Sequence, residues 1–116
     1  MNIVNLTPHN INLDDADGVR TVIPSSGVAR VASTPGALET VAGVPVPIAG
    51  RATYGEIEGL PDPVEGTLYV VSKVVLDVVN ERGGRDDVVG PGTGPKDGAI
   101  RNEAGNVIAV TRLVRG

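Results

Sequence analysis

Gly66-Thr67-Leu68-Tyr69-Val70-Val71-Ser72-Lys73-Val74-Val75-Leu76-Asp77-Val78-Val79-Asn80-Glu81 is the stretch on which the fold turns. Its first half, Thr67 to Val71, is an unbroken apolar run between turn residues. Such a run is apolar on both faces and reads as a central strand. Its second half changes period. Val74, Val75, Val78 and Val79 fall at i, i+1, i+4 and i+5, one face of a helix, while Lys73, Asp77, Asn80 and Glu81 take the other. Ser72 stands where an N-cap belongs. Gly83-Gly84 follows and ends the helix.

Outward from this unit the chain reads as short β segments. Valine occurs twenty times, against seven Ile and seven Leu, and β-branched side chains suit a pleated, half-buried surface. Asn2 to Leu6 reads as a first strand, and Thr7-Pro8-His9-Asn10 as a turn or bulge. Ile11 to Leu13 and Val19 to Ile23 form a hairpin across Asp14-Asp15-Ala16-Asp17-Gly18. Val28 to Ala32 and Thr53 to Leu60 are further strands. Ser33 to Gly43 reads as one turn or a loop. Val44-Pro45-Val46-Pro47-Ile48 is an edge strand or extended segment, because its prolines donate no ladder hydrogen bonds. Residues 83 to 98, six of them Gly, read as one long loop. A C-terminal hairpin joins Ile100 to Val107–Val114. The expected fold is α+β, mainly antiparallel β with one helix after the central strand, as a single domain over residues 1–116.

Composition bounds the chemistry. There is no Cys and one His among 116 residues, so a disulfide framework, a thiolate metal site and a multi-histidine zinc site are excluded. Phe and Trp are absent and Tyr occurs twice, which leaves no aromatic platform for stacking bases. The formal charge of −4 opposes long-range attraction to a polyanion, so no duplex nucleic acid is expected as a partner. The start of the chain lacks the basic and apolar regions of a signal peptide. No apolar run approaches the roughly 18 residues of a membrane span. The expectation is a protein without membrane partner, acting in a cytoplasm.

Candidate chemistry is sparse. Asp14, Asp15 and Asp17 before Gly18 suggest a calcium loop, but Leu13 takes its first ligand position and no Glu follows at the required distance, so they read as a hairpin tip. Gly94-Pro95-Lys96-Asp97 breaks the phosphate-loop pattern. His9 or the Asp86–Asp87 pair are the groups a small hydrolase would use. Gly-rich turns present free amides to anions, and nearby Arg82, Arg85, Lys96 and Arg101 add charged donors. Tyr54 could stack a single base. Arg85 beside Asp86 and Asp87 also reads as an ion pair that pins the loop.

Several segments together resemble a family of small, uncharacterised proteins of bacteriophages and actinobacterial prophages. They are Asn5-Leu6-Thr7-Pro8-His9, Gly27-Val28-Ala29-Arg30-Val31, Tyr54-Gly55-Glu56-Ile57-Glu58-Gly59-Leu60-Pro61, Gly66–Ser72, Arg85-Asp86-Asp87-Val88-Val89 and Ile100-Arg101-Asn102-Glu103-Ala104-Gly105. The resemblance implies a phage-type origin and a host cytoplasm, but no activity. The polar residues near turns in or beside these segments form the candidate site: Thr7, Arg30, Tyr54, Arg82, Arg85, Asp86, Thr93, Lys96 and Arg101.

The first expectation is an accessory protein binding a small anionic, phosphorylated or nucleotide-like ligand without turnover, such as a counter-defence sponge of a host signal. No cofactor and no metal are expected. The alternative is a virion or assembly protein, a decoration or connector, and the second alternative a small hydrolase. A small core and several strand edges favour a homo-oligomer, most simply a dimer.

Overall fold

The structure is a computed structural model describing residues 1–116. Twelve strands and one helix follow in chain order: β1 (Asn2–Asn5), β2 (Ile11–Asp14), β3 (Arg20–Ile23), β4 (Arg30–Thr34), β5 (Leu38–Glu39), β6 (Ile48–Ala49), β7 (Thr53–Glu58), β8 (Thr67–Val70), α1 (Lys73–Glu81), β9 (Val88–Pro91), β10 (Ile100–Arg101), β11 (Val107–Ala109) and β12 (Leu113–Val114). The fold is α+β. Five of its seven strand pairings are antiparallel.

The central sheet has the order β1-β8-β9-β12. β8 is a central strand, as its apolar run predicts. Its pairings, however, are parallel on both sides, with β1 and with β9. β8, α1 and β9 thus form a strand–helix–strand crossover, the connection parallel neighbours need. β9 corrects the sequence reading of residues 83–98 as one loop. Val88 and Val89 are buried and pair with Tyr69 and Val70. A four-residue strand hemmed in by Gly and Pro carries too little periodicity to stand out. The C-terminal segment differs in a smaller way. β11 returns along β10, but Leu113–Val114 leaves that hairpin and pairs with β9.

Helix α1 buries Val75, Leu76, Val78 and Val79, close to the face its spacing gives. Val74 lies outside that face and is exposed. Ser72 occupies the N-cap with extended backbone, but its hydroxyl makes no capping bond. At the other end Gly83 takes φ +105°, which lets the Gly84 N–H donate to the Val79 carbonyl at 2.9 Å and closes the helix.

The core has two parts. One packs Leu6, Ala29, Tyr69, Val71, Val75, Leu76, Val79 and Val88 between helix and sheet. The other packs Ile11, Val70, Val89 and Val110 on the far side of the sheet, beneath the β2–β3 hairpin. Only 18 of 116 residues are buried, because a quarter of the chain leaves the body.

That quarter is a two-stranded ribbon. β4 pairs with β7, and β5 with β6 beyond them. The base is held to the body by Val31 and Ile57, which pack against the helix-side core. From Ala32 to Glu56 every residue except Gly36 is exposed. At Gly36 the two strands cross so closely that a Cβ would lie 2.3 Å from the Gly50 carbonyl carbon; only Gly fits there. The ribbon makes the molecule long, 56 × 39 × 21 Å, with a radius of gyration of 17.2 Å. A compact chain of this length has about 13 Å.

Candidate functional site

The residues singled out in the sequence fall into separate places. Arg82, Arg85 and the backbone of Tyr54 meet at the C-terminal end of α1. The helix ends there, and the ribbon base packs beside it. The Arg82 guanidinium donates to the carbonyls of Tyr54 and Gly55 at 3.2 and 2.7 Å, so it ties the ribbon to the helix. A shallow recess of about 240 Å³ lies alongside, lined by Ile57, Leu60, Val79, Arg82, Gly84 and Arg85. The Tyr54 ring stands on the exposed ribbon, outside that lining.

Arg85 forms a two-pronged pair with Asp87, Nε to Oδ1 at 3.0 Å and Nη2 to Oδ2 at 2.6 Å. Its guanidinium also lies 6.0 Å from the centroid of the Tyr69 ring, within cation–π range. The pair pins the turn that feeds β9. The guanidinium hydrogen bonds hold the Asp87 carboxyl below the usual carboxylate range, and the carboxylate raises Arg85 in turn. A carboxyl lowered on folding stabilises the folded state above its unfolded value of about 4, and that contribution is lost as pH falls through the lowered value. The free energy of unfolding is therefore expected to fall as the protein is acidified below about pH 4, and to fall less in Asp87→Asn. Urea titrations at a series of pH values check this. Asp14, lowered by its bond to Arg20, contributes a dependence of the same sign in both proteins.

Thr93 and Arg101 lie at the opposite end of α1, with Lys96 in the turn beside them. Arg101 donates to the carbonyls of Gly105 and Thr93, both at 3.1 Å, and so fastens the loop after β9. Thr93 borders a larger recess of about 490 Å³ together with Lys73, Asp77, Gly94 and Asp97 at the start of the helix. Lys96 is exposed and makes no ion pair. The helix between the two ends has nine residues, a length of about 13 Å. Asp86 is exposed, and its backbone carbonyl accepts from Arg115 Nε at 3.1 Å. Arg30 faces Glu58 across the ribbon base.

Thr7 lies apart from these groups, in the turn after β1, and is buried. Its N–H and hydroxyl donate to Asn5 Oδ1 at 2.9 and 2.6 Å, and it is 8% exposed. Asn5 itself is fully buried. Its amide donates to the carbonyls of His9 and Ile23 at 2.8 and 2.9 Å. One side chain thus closes the turn after β1 and binds it to β3. No local signal marks this role, because Asn before Leu-Thr-Pro also suits an open turn.

No protein-family model, curated protein or solved structure matches the chain. What the site can do therefore rests on its own geometry. The guanidinium groups of Arg82, Arg85 and Arg101 are committed to carbonyls and to Asp87. No three His, Cys, Asp or Glu side chains gather in a metal-binding cluster. No helix is long and apolar enough to cross a membrane. The ribbon leaves apolar side chains open: Leu38 and Val46 at its end are 69% and 62% exposed.

Proposed function

We propose that the chain is an assembly protein that works by protein contact through its ribbon, in the class of virion decoration or connector subunits. The observation that carries this reading is the ribbon. It has no core of its own, and an isolated two-stranded hairpin is marginally stable in water. It also exposes apolar side chains that nothing in the chain covers. The resemblance to phage-type proteins supports a particle as the setting. The test is mass spectrometry of purified particles made by the genome that encodes the chain. Stoichiometric presence is expected, and absence from the particles overturns the reading.

A second reading is a binder of a small phosphorylated or nucleotide-like anion. It is supported by Arg82 and Arg85 sharing one recess at the C-terminal end of α1. Against it, Arg85 is already neutralised by Asp87, and Thr93, Lys96 and Arg101 lie at the other end of the helix. Calorimetric titration with linear and cyclic nucleotides separates the two readings. Binding that is lost in Arg82→Ala supports the anion reading, and no heat across the panel removes it.

A further inference from the structure

We infer that the partner of the ribbon is a second copy of this chain, whose exposed β3 and β11 residues receive it. The inference rests on the assembly reading and names the partner that reading leaves open.

The first argument is area. The chain exposes 7882 Å², whereas a folded monomer of 11.8 kDa exposes about 5,900 Å². The excess is about 2,000 Å² per chain, more than twice the roughly 800 Å² each partner contributes to a stable complex.

The second argument is where the apolar surface lies. The ladder sets Leu38 opposite Ala49 and Glu39 opposite Ile48. Leu38 and Ile48 therefore stand on opposite faces of the ribbon, and one flat partner surface cannot cover both. Val41, Val44 and Val46 extend the apolar character around the tip.

The third argument is that the body carries an unmatched apolar surface too. Val22 on β3 and Ile108 on β11 are both exposed. They flank Asn12, which is the cross-strand neighbour of Val22 and donates to the Ile108 carbonyl at 2.9 Å. Val19, at the turn into β3, is exposed as well. One chain thus holds both halves of an apolar contact, an arm and a face to receive it. Such a contact is heterologous: exchanged reciprocally it makes a two-fold dimer, and otherwise it closes into a ring or runs on as an open filament, according to its rotation. The arm (residues 30–58) carries Arg30, Glu39, Arg51, Glu56 and Glu58, a charge of −1, on a chain of −4. Apolar burial, with little help from charge attraction, then drives the contact, and its strength should depend weakly on salt.

The experiment is light scattering on the purified full chain at micromolar concentrations, in low and high salt. The expected mass is at least twice 11.8 kDa in both. Leu38→Glu with Ile48→Glu is expected to return it to the monomer mass, as is Val22→Glu with Ile108→Glu. All four sites are exposed, so circular dichroism should be unchanged. A second arm variant deletes residues 37–49 and joins Gly36 to Gly50 through Asn-Gly, using the point where the strands already cross. An equimolar mixture of arm-defective and face-defective chains is expected to form a pair, because one supplies an intact arm and the other an intact face. A monomeric wild-type chain, or variants that keep the wild-type mass, overturns the inference. A monomer still found in particles would sink the self-contact and leave the assembly reading standing; an oligomer absent from particles does the reverse.

Discussion

Replacing Asn5 by Ala is expected to cost about 3 kcal/mol of stability, a large share of the roughly 5–15 kcal/mol a domain of this size has. The Asn5 side chain is fully buried and meets four groups. Removing it leaves the Thr7 N–H and the Ile23 carbonyl without that partner, while the Thr7 hydroxyl and the His9 carbonyl keep each other at 3.0 Å; each buried orphan costs about 1–3 kcal/mol. Asn5→Asp does not rescue the loss, because a carboxylate accepts from Thr7 but has no donors for the two carbonyls. His9→Ala is the control. His9 enters the network through its backbone carbonyl, which Ala retains. In urea, Asn5→Ala and Asn5→Asp should both lower the midpoint by about 1–3 M at the slopes usual for small proteins, with His9→Ala close to wild type. A midpoint for Asn5→Ala within experimental error of wild type would show that water replaces the side chain at no cost.

Val88→Asp is expected to abolish folding altogether. Val88 is completely buried in β9, where it packs with the helix-side core. An unpaired carboxylate there costs several kcal/mol after relaxation, and neutralising it by protonation costs as well. Val74→Asp, the same change on the exposed side of α1, is expected to leave the protein folded. Soluble yield and far-ultraviolet circular dichroism distinguish the pair. The contrast tests β9 directly, since Val88 would tolerate Asp if residues 83–98 formed one surface loop.

These two residues also mark where the sequence was legible and where it was not. The strand-to-helix unit from Thr67 to Glu81 could be read because a change of hydrophobic period is a strong local signal. The hairpin at Asp14–Gly18 could be read from its turn residues. β9 was hidden because its Val-Val-Gly-Pro looks the same in a strand and in a loop, and burial alone decides between them. The parallel partners of β8 were hidden because pairing over long separations leaves no local trace. Arg82 and Arg101 stand close to turns in the sequence. Their bonds to Tyr54, Gly55, Gly105 and Thr93 carbonyls depend on which turns meet in space, and spacing along the chain does not give that. The ribbon is the largest gap. Its two strands were recognised in part, but a strand that pairs into a free arm has the same pattern as one that pairs into a sheet.

The parallel pairing of β1 with β8 has a consequence for how the protein is made. Thr67, the partner of Asn2, lies 65 positions downstream. During synthesis the first strand must wait for its ladder partner, held only at Asn5 by the bridge to Ser25, while the ribbon between them emerges first. Long-range pairing of this kind slows folding. Residues 2–4 therefore keep an open strand edge through that interval, until the eighth strand emerges and captures it.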